Sequence, residues 1–254
     1  MNRKKSVIDE RRAGLLEMIR HANGAELDVE QTAKLLGVSP VTLRRDLNVL
    51  AEQGTITRGY GRIAPVEQSP QSRITAVNDA IARIARRAAE FVEAGDILFI
   101  NTSRTALQLI QYINVPNVTV ITNNVLATNM PHRSDLTLIL TGGEVRYPKY
   151  AMVGDVAQKT LQSVTATKAF LGCSGFSLES GMTTEYYGEA AVNNAMMTNV
   201  RGPVYMLAGR SKLNWTSSFV SGGADLVSVL ITERGAAPDV LTPFRCAGIT
   251  VYTV

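Results

Sequence analysis

"LGVSPVTLRRDLNVLAEQGTITRGYG", residues 36–61, is the stretch that decides the fold of the first part of this chain. Gly37 suits the left-handed conformation that stops a helix, Ser39 suits an N-cap, and Pro40 falls in the first helical turn, where a missing N–H costs nothing. Val41, Leu43, Leu47 and Leu50 mark the buried face of the helix that follows. Upstream, Asp28 with Gln31 has capping-box spacing, and Val29, Ala33, Leu35 and Leu36 predict a short helix. Leu15, Leu16, Met18 and Ile19 predict another, from Asp9 to His21. Two helices around a tight glycine turn make a helix-turn-helix.

The third helix carries Thr42, Arg44, Arg45 and Asn48 on its polar face. These residue types suit a DNA groove: arginine donates in a bidentate fashion to guanine, asparagine pairs with adenine, and threonine reaches a phosphate or a thymine methyl. Asp46 is expected to face a neighbouring arginine or the helix N-terminus, away from phosphates. Beyond Gly54, "TITRGYGRIAP" (55–65) predicts a β-hairpin in which Arg58 and Arg62 flank Gly59-Tyr60-Gly61. Such a wing can lay its arginines along the backbone or into the minor groove. Ser39, Val41, Thr42, Arg44, Arg45, Asn48, Arg58, Tyr60 and Arg62 are therefore the expected DNA contacts.

The rest of the composition narrows the choice. Of the 254 residues, those up to 65 hold 11 Lys+Arg against 8 Asp+Glu, and the remainder 15 against 14, so most of the net +4 sits in the first quarter. A small basic module beside a nearly neutral larger one fits a DNA-binding head on a sensor body. The charged opening and the absence of a long uncharged apolar run predict a cytoplasmic protein without a membrane partner. Cys173 and Cys246 read as buried reduced thiols, and two histidines offer little for a metal site or a Ser/His/Asp triad. Neither metal nor cofactor is expected. The polar stretch 65–72, with two prolines, reads as a linker between a winged helix-turn-helix over 1–64 and an effector-sensing, oligomerising domain over 73–254.

In that larger part Ile81, Ile84, Ala85, Ala88 and Phe91 form a helical stripe. Seven apolar runs follow, at 96–101, 118–122, 136–140, 168–174, 204–208, 226–231 and 249–253, separated mostly by helical segments. Runs without polar alternation suit strands covered on both faces, so the expectation is an α/β, doubly wound, mainly parallel sheet. Ligands of such sheets bind at the C-terminal strand ends. There lie Asn101, Thr102, Ser103, Arg104 and Thr105; then Thr122, Asn123 and Asn124; then Gly142, Gly143, Glu144 and Arg146; then Gly172, Ser174 and Gly175. Small polar loops converging on one edge predict a phosphate-bearing ligand, with Arg104 and the N–H groups after the first strand holding the anion.

Residues 36–61 resemble the DNA-binding segment of the DeoR family of bacterial regulators, whose Ser-x-x-Thr-[Ile/Leu]-Arg-Arg-Asp-Leu core corresponds to Ser39–Leu47. The wing tip departs from the family's frequent His-Gly-Gly, being Tyr60-Gly61-Arg62. The later residues are similar to the family's sensor domain at "ITNN", "LTGGEVR" with Gly154, "AFLGCSGF", Gly181 with Thr183, Glu189-Ala190 and Ser211-Lys212. The resemblance covers almost the whole chain. It implies a fold like that of ribose-phosphate isomerases, adds Thr183, Glu189 and Lys212 to the ligand residues, and implies a repressor of a sugar-utilisation operon controlled by a phosphorylated sugar. Three positions depart from the family pattern: Asn101 and Gly209 stand where aspartates are usual, and Asn193 where a lysine is. With Arg104 gained, this corner is expected to be more positive and its ligand more anionic. One short recognition helix gives little specificity, so a homodimer or homotetramer on operator DNA is expected. The alternatives are a sugar-phosphate isomerase-like enzyme using Glu144, Glu189 and Lys212, and a regulator whose pocket has lost its ligand.

Overall fold

Leu15, Ile19, Ala33, Leu43, Leu47 and Leu50 are all buried and pack as one cluster, with Leu36 and Val38 against its edge. They belong to the first of two units, Met1–Ala76 and Val77–Val254, in a computed structural model that describes residues 12, 14, 15, 18, 19, 29–52, 56–59, 62–65 and 70–254. Residues 12, 14, 15, 18 and 19 are helical. Helix α1 spans Val29–Leu35 and α2 spans Pro40–Glu52. Strands β1 (Ile56–Gly59) and β2 (Arg62–Pro65) pair antiparallel with Gly59 opposite Arg62, so the expected hairpin is present. The Asp28 cap, Leu16 and the wing-tip residues Tyr60 and Gly61 lie outside the described residues.

Two residues assigned to buried faces point outward: Leu35 is 76% exposed and Val41 73%. In α1 the buried stripe is Thr32 and Ala33, continued by half-buried Leu36, which leaves Leu35 on the far side. In α2 Val41 lies about 160° around the axis from Leu43, opposite the side that packs.

Helix α3 spans Pro70–Ala89, and its second-unit residues Ile81, Ile84, Ala85 and Ala88 are buried. Of the stretch 65–72, Pro65 ends β2 and Pro70–Ser72 form the first turn of α3, where proline is tolerated; residues 66–69 lie outside the described ones. The helix thus begins inside the stretch expected to be linker.

Seven strands make one wholly parallel sheet: β3 (Ile97–Ile100), β4 (Thr119–Thr122), β5 (Thr137–Leu140), β8 (Lys168–Leu171), β11 (Val204–Leu207), β13 (Val229–Thr232) and β14 (Thr250–Thr253). Their order is β14-β13-β11-β8-β3-β4-β5. All seven lie on the apolar runs, and most are buried on both faces: Leu98 and Ile100 enter one cluster with Leu109, Ile110 and Phe170, whereas Phe99 enters the other with Phe176, Met196 and Phe244. Helices α5 (Asp155–Gln162), α6 (Tyr187–Thr198) and α7 (Pro238–Cys246) contribute to the second cluster, and α3 and the five-residue α4 (Arg104–Gln108) to the first. The fold class is α/β, as the sequence predicts.

Five further strands lie outside this sheet. β6 (Glu144–Arg146) and β7 (Ala151–Val153) form a hairpin, and β9 (Gly175–Ser177), β10 (Gly181–Thr184) and β12 (Phe219–Gly222) form a second antiparallel sheet in the order β12-β10-β9. The run 168–174 accordingly stops as a strand at Leu171. Cys173 is half-buried, with burial pushing its thiol up to about 12, and Cys246 is exposed, which corrects the expectation of two buried thiols. No helix among the described residues is long and apolar enough to cross a membrane.

At the N-terminal end of the sheet Lys168 Nζ donates to Asp96 Oδ2 at 2.7 Å and Glu93 Oε2 at 2.9 Å, and Thr167 Oγ1 donates to Asp96 Oδ1 at 2.7 Å. Burial works to raise the Asp96 pKa. Hydrogen bonds from Lys168, the Glu93 N–H and Thr167 outweigh it and hold the carboxyl below its ordinary value. Lys168→Met strands that carboxylate and is expected to cost about 3 kcal/mol at neutral pH. Because the Asp96 pKa is depressed, the pair's contribution is present above the unfolded carboxyl pKa and fades as pH falls through the folded one. Urea unfolding at pH 7 and pH 3 checks this: the gap between wild type and variant narrows in acid.

Candidate functional site

The helix-turn-helix owes its turn to Gly37, at φ +64°. Its N–H reaches the Lys34 carbonyl at 3.2 Å and the Val38 N–H the Ala33 carbonyl at 2.9 Å, the paired bonds that close a helix C-terminus. Ser39 then caps α2: its Oγ accepts from the Thr42 N–H at 3.2 Å and lies 2.9 Å from Thr42 Oγ1. Leu43, Leu47 and Leu50 face the core. Asp46 lies among them, buried, and accepts from Arg12 Nε at 2.9 Å, so the acid faces an arginine of the first helix as expected.

The opposite side of α2 presents Val41, Arg45 and Asn48, all exposed and within a stripe about 60° wide. Arg44 falls on the same helix, and its side chain lies outside the described residues. Arg58 and Arg62 sit on the two strands of the hairpin, near its tip.

In the larger unit the strand order reverses between β3 and β8: β4 and β5 continue to one side, and β11, β13 and β14 to the other. Asn101 and Gly172 end these two central strands, at the switch point where ligands of such sheets bind. The buried Asn101 amide joins them. Its Nδ2 donates to the Gly172 carbonyl at 2.8 Å and to Asn193 Oδ1 at 3.0 Å, and its Oδ1 accepts from the Gly172 N–H at 3.0 Å and the Ser103 N–H at 3.3 Å. Asn193 continues to Ser221 Oγ at 3.4 Å. A Cβ on Gly172 would stand 1.9 Å from Ser103 Oγ, so the two loops meet too closely for any side chain there.

Ser103 is the cap of α4, accepting from the N–H groups of Thr105 and Ala106. Those donors were expected to hold an anion together with Arg104. Ser103 takes them instead, Asn101 is occupied by protein partners, and Arg104 stands exposed while Thr102 and Thr105 are half-buried.

At the end of β4, Thr122 Oγ1 accepts from the Asn124 N–H at 3.1 Å, and Asn124 Oδ1 from the Leu126 N–H at 3.0 Å. Asn123 is fully buried. Its Nδ2 donates to the Met152 carbonyl at 3.1 Å, and its Oδ1 has no hydrogen-bond partner. The segment 147–152 is thereby strapped across the strand end, with the Met152 N–H on the Asn123 carbonyl at 2.7 Å and the Val125 N–H on the Tyr150 carbonyl at 3.1 Å.

That strap carries Lys149, which the sequence reading missed. Its Nζ lies 3.3 Å from Glu189 Oε2 and 4.4 Å above the ring of Tyr186. The same Glu189 oxygen accepts from Thr184 Oγ1 at 2.8 Å. Glu189 and Asn193 stand four residues apart on α6, so one helix reaches both polar clusters. No local pattern reveals Lys149 or Ser221, because their partners are distant in sequence.

Other expected ligand residues lie apart from these clusters. Glu144 and Arg146 pair with each other at 2.6 Å on the exposed hairpin after Gly142-Gly143. Thr183 Oγ1 donates to the Gly175 carbonyl at 3.0 Å and accepts from the Ser217 N–H at 2.9 Å, and Ser174 N–H bonds the Thr183 carbonyl at 2.9 Å, so these residues staple the small sheet. Lys212 stands close enough to Cys173 for its charge to oppose the rise in the thiol pKa. Asn101→Ala removes four hydrogen bonds from a dry junction and is expected to cost about 3 kcal/mol, measured by chemical denaturation.

Residues 11–69 match the family model of the DeoR-like helix-turn-helix domain, and residues 78–234 that of the DeoR C terminal sensor domain. The HTH-type transcriptional repressor GlcR of Bacillus subtilis (strain 168) is 31% identical over 232 residues, 89% of this chain and 88% of the relative. The glycerol-3-phosphate regulon repressor of Escherichia coli (strain K12) is 27% identical over 230 residues, 88% of this chain and 90% of the relative. Among solved structures, ribose 5-phosphate isomerase from Plasmodium falciparum aligns at 12% identity over 52% of this chain and 51% of its own, with a TM-score of 0.36.

Proposed function

Since this chain belongs to the DeoR family of transcriptional regulators, we propose that it represses a carbohydrate-utilisation operon and releases or tightens its operator in response to a phosphorylated sugar. The chain is a regulator rather than an enzyme, like its named relatives. In keeping with that, the acid/base candidates Glu144 and Glu189 have separate partners, Arg146 for the first and Lys149 with Thr184 for the second.

The observation that carries the DNA-binding part is the exposed stripe of Val41, Arg45 and Asn48 on a helix whose other side is fixed by three leucines and the Arg12–Asp46 pair. Arg45 and Asn48 supply base-edge donors, and Val41 is an apolar partner for a thymine methyl. Arg58 and Arg62 on the hairpin are the proposed phosphate or minor-groove contacts. Ser39 and Thr42, bonded to each other at the start of α2, present hydroxyls to a phosphate. Two such helices, in a homodimer or homotetramer, would read paired half-sites.

Support for the effector comes from the C-terminal edge of the parallel sheet, where Asn123 holds the strap whose Lys149 meets Glu189, and from a relative named for a glycerol-3-phosphate regulon. An operator selected from genomic fragments, titrated with full-length protein, tests the DNA-binding part. Arg45→Ala is expected to weaken specific binding by about 1–3 kcal/mol, and log K should fall linearly with log salt for both proteins. Unchanged affinity in both Arg44→Ala and Arg45→Ala would mean that α2 is not the reading helix. A sugar phosphate at a hundredfold excess over its Kd should add about 2.7 kcal/mol of stability to either variant.

A further inference from the structure

We propose that Lys149 is the residue that takes the anionic group of the effector, leaving its resting partner Glu189 to do so, and that Tyr186 beside it and the tyrosines of its strap stack on the sugar. This rests on the sensor reading above and goes further by naming the binding group.

Lys149 is a salt-bridged cation of the C-terminal sheet edge that is also within reach of solvent: its side chain is one-third exposed, whereas Glu189 is nearly enclosed. The Lys149–Glu189 contact is long, at 3.3 Å, against 2.7 Å for Lys168–Asp96 at the other end of the sheet. Glu189 keeps one hydrogen bond, from the Thr184 hydroxyl at 2.8 Å, when the lysine moves. A phosphate offers the ammonium more charge and more acceptor oxygens than the carboxylate does.

The surroundings suit a sugar. Four of the eight tyrosines of the chain, Tyr147, Tyr150, Tyr186 and Tyr187, lie on the strap and at the start of α6, all exposed, with Tyr187 at 78%. Tyr147 and Tyr150 meet edge to face at 4.9 Å, and Tyr186 lies under Lys149. The Tyr186 ring beside the cation, and the exposed rings of Tyr147 and Tyr150 on the strap that carries it, offer flat apolar surface to the C–H faces of a sugar whose phosphate the cation holds. Tyr150 also stands at φ +56°, a left-handed conformation unusual for a bulky residue, which the bond from the Val125 N–H to its carbonyl helps hold. The strap connects in turn to the end of β4 and to the first turn of α6, so exchange of the Lys149 partner is felt by two elements of the fold.

Calorimetric titration of the full-length protein with hexose, pentose and triose monophosphates, their unphosphorylated parents and inorganic phosphate tests this. At least one monophosphate should bind, its parent sugar about tenfold or more weakly. Lys149→Met should lower monophosphate affinity about tenfold or more, and Lys149→Arg should recover most of it. Tyr147→Ala should weaken the sugar phosphate and leave inorganic phosphate unchanged. If Lys149→Met melts early, Lys149→Met/Glu189→Gln removes the stranded charge and carries the same comparison. A wild type that binds a monophosphate no better than Lys149→Met does would overturn the proposal and leave the sensor reading standing. A wild type that binds no monophosphate would overturn both.

Discussion

The C-terminal edge of the parallel sheet is organised around one buried amide. A parallel sheet whose order reverses at β3 and β8 brings two strand ends together from chain segments about seventy residues apart, and their loops turn to opposite faces. Asn101 bridges the divergence by bonding both backbone groups of Gly172, the Ser103 N–H and Asn193. Once it is in place, Ser103 is positioned to cap α4, Gly172 has no room for a side chain, and α6 is anchored at its middle with Glu189 projecting one turn away. An aspartate offers only acceptors when ionised and could not make the same donor bonds.

This changes the meaning of the departures from the DeoR pattern. Two of them, Asn101 and Asn193, touch at 3.0 Å. Where the family usually has an aspartate and a lysine, this chain has two amides, and the missing negative charge is matched by a missing positive one. The Asn101–Asn193 contact itself therefore leaves the charge balance unchanged, and the positive charge expected at this corner rests on the exposed Arg104. The third departure has its own reason: a Cβ at Gly209 would stand 3.4 Å from Glu233 Oε1, so an aspartate there would bring two carboxylates together. Nearby, Lys149, on a segment the family pattern does not single out, meets the family-pattern acid Glu189.

The seven parallel strands are legible because most are covered on both faces, which turns them into unbroken apolar runs such as Ile97–Ile100 and Val204–Leu207. The five short strands are not: Glu144–Arg146, Gly175–Ser177 and Gly181–Thr184 have three or four residues, glycine or exposed charge, and no alternation to detect. In the first unit the capping signals at Gly37, Ser39 and Pro40 are local, so the turn and the start of α2 are readable. Leu35 and Val41 are misread because hydrophobicity alone does not say which side of a short helix packs. The candidate site divides the same way. Its strand-end loops follow from topology, but whether Ser103 serves a ligand or its own helix, and which acid Lys149 meets, depend on residues far along the chain.

Asp46 shows how an acid can sit in an arginine-rich motif on the helix proposed to face DNA. A carboxylate on the outward stripe with Arg45 and Asn48 would repel phosphates. Two residues earlier than Asn48 it falls about 200° away around the axis, on the inner side, where Arg12 neutralises it and ties the first helix to α2. The cost of burying an ion pair is met by a hydrogen bond of 2.9 Å and by an arginine that keeps some contact with water. A leucine at the same place would fill the space and hold α2 less specifically, because apolar packing tolerates rotation and sliding that a charged hydrogen bond does not. The acid thus ties α2 to the first helix on the side away from Arg45 and Asn48, and its place in the Arg-Arg-Asp-Leu sequence follows from helix geometry.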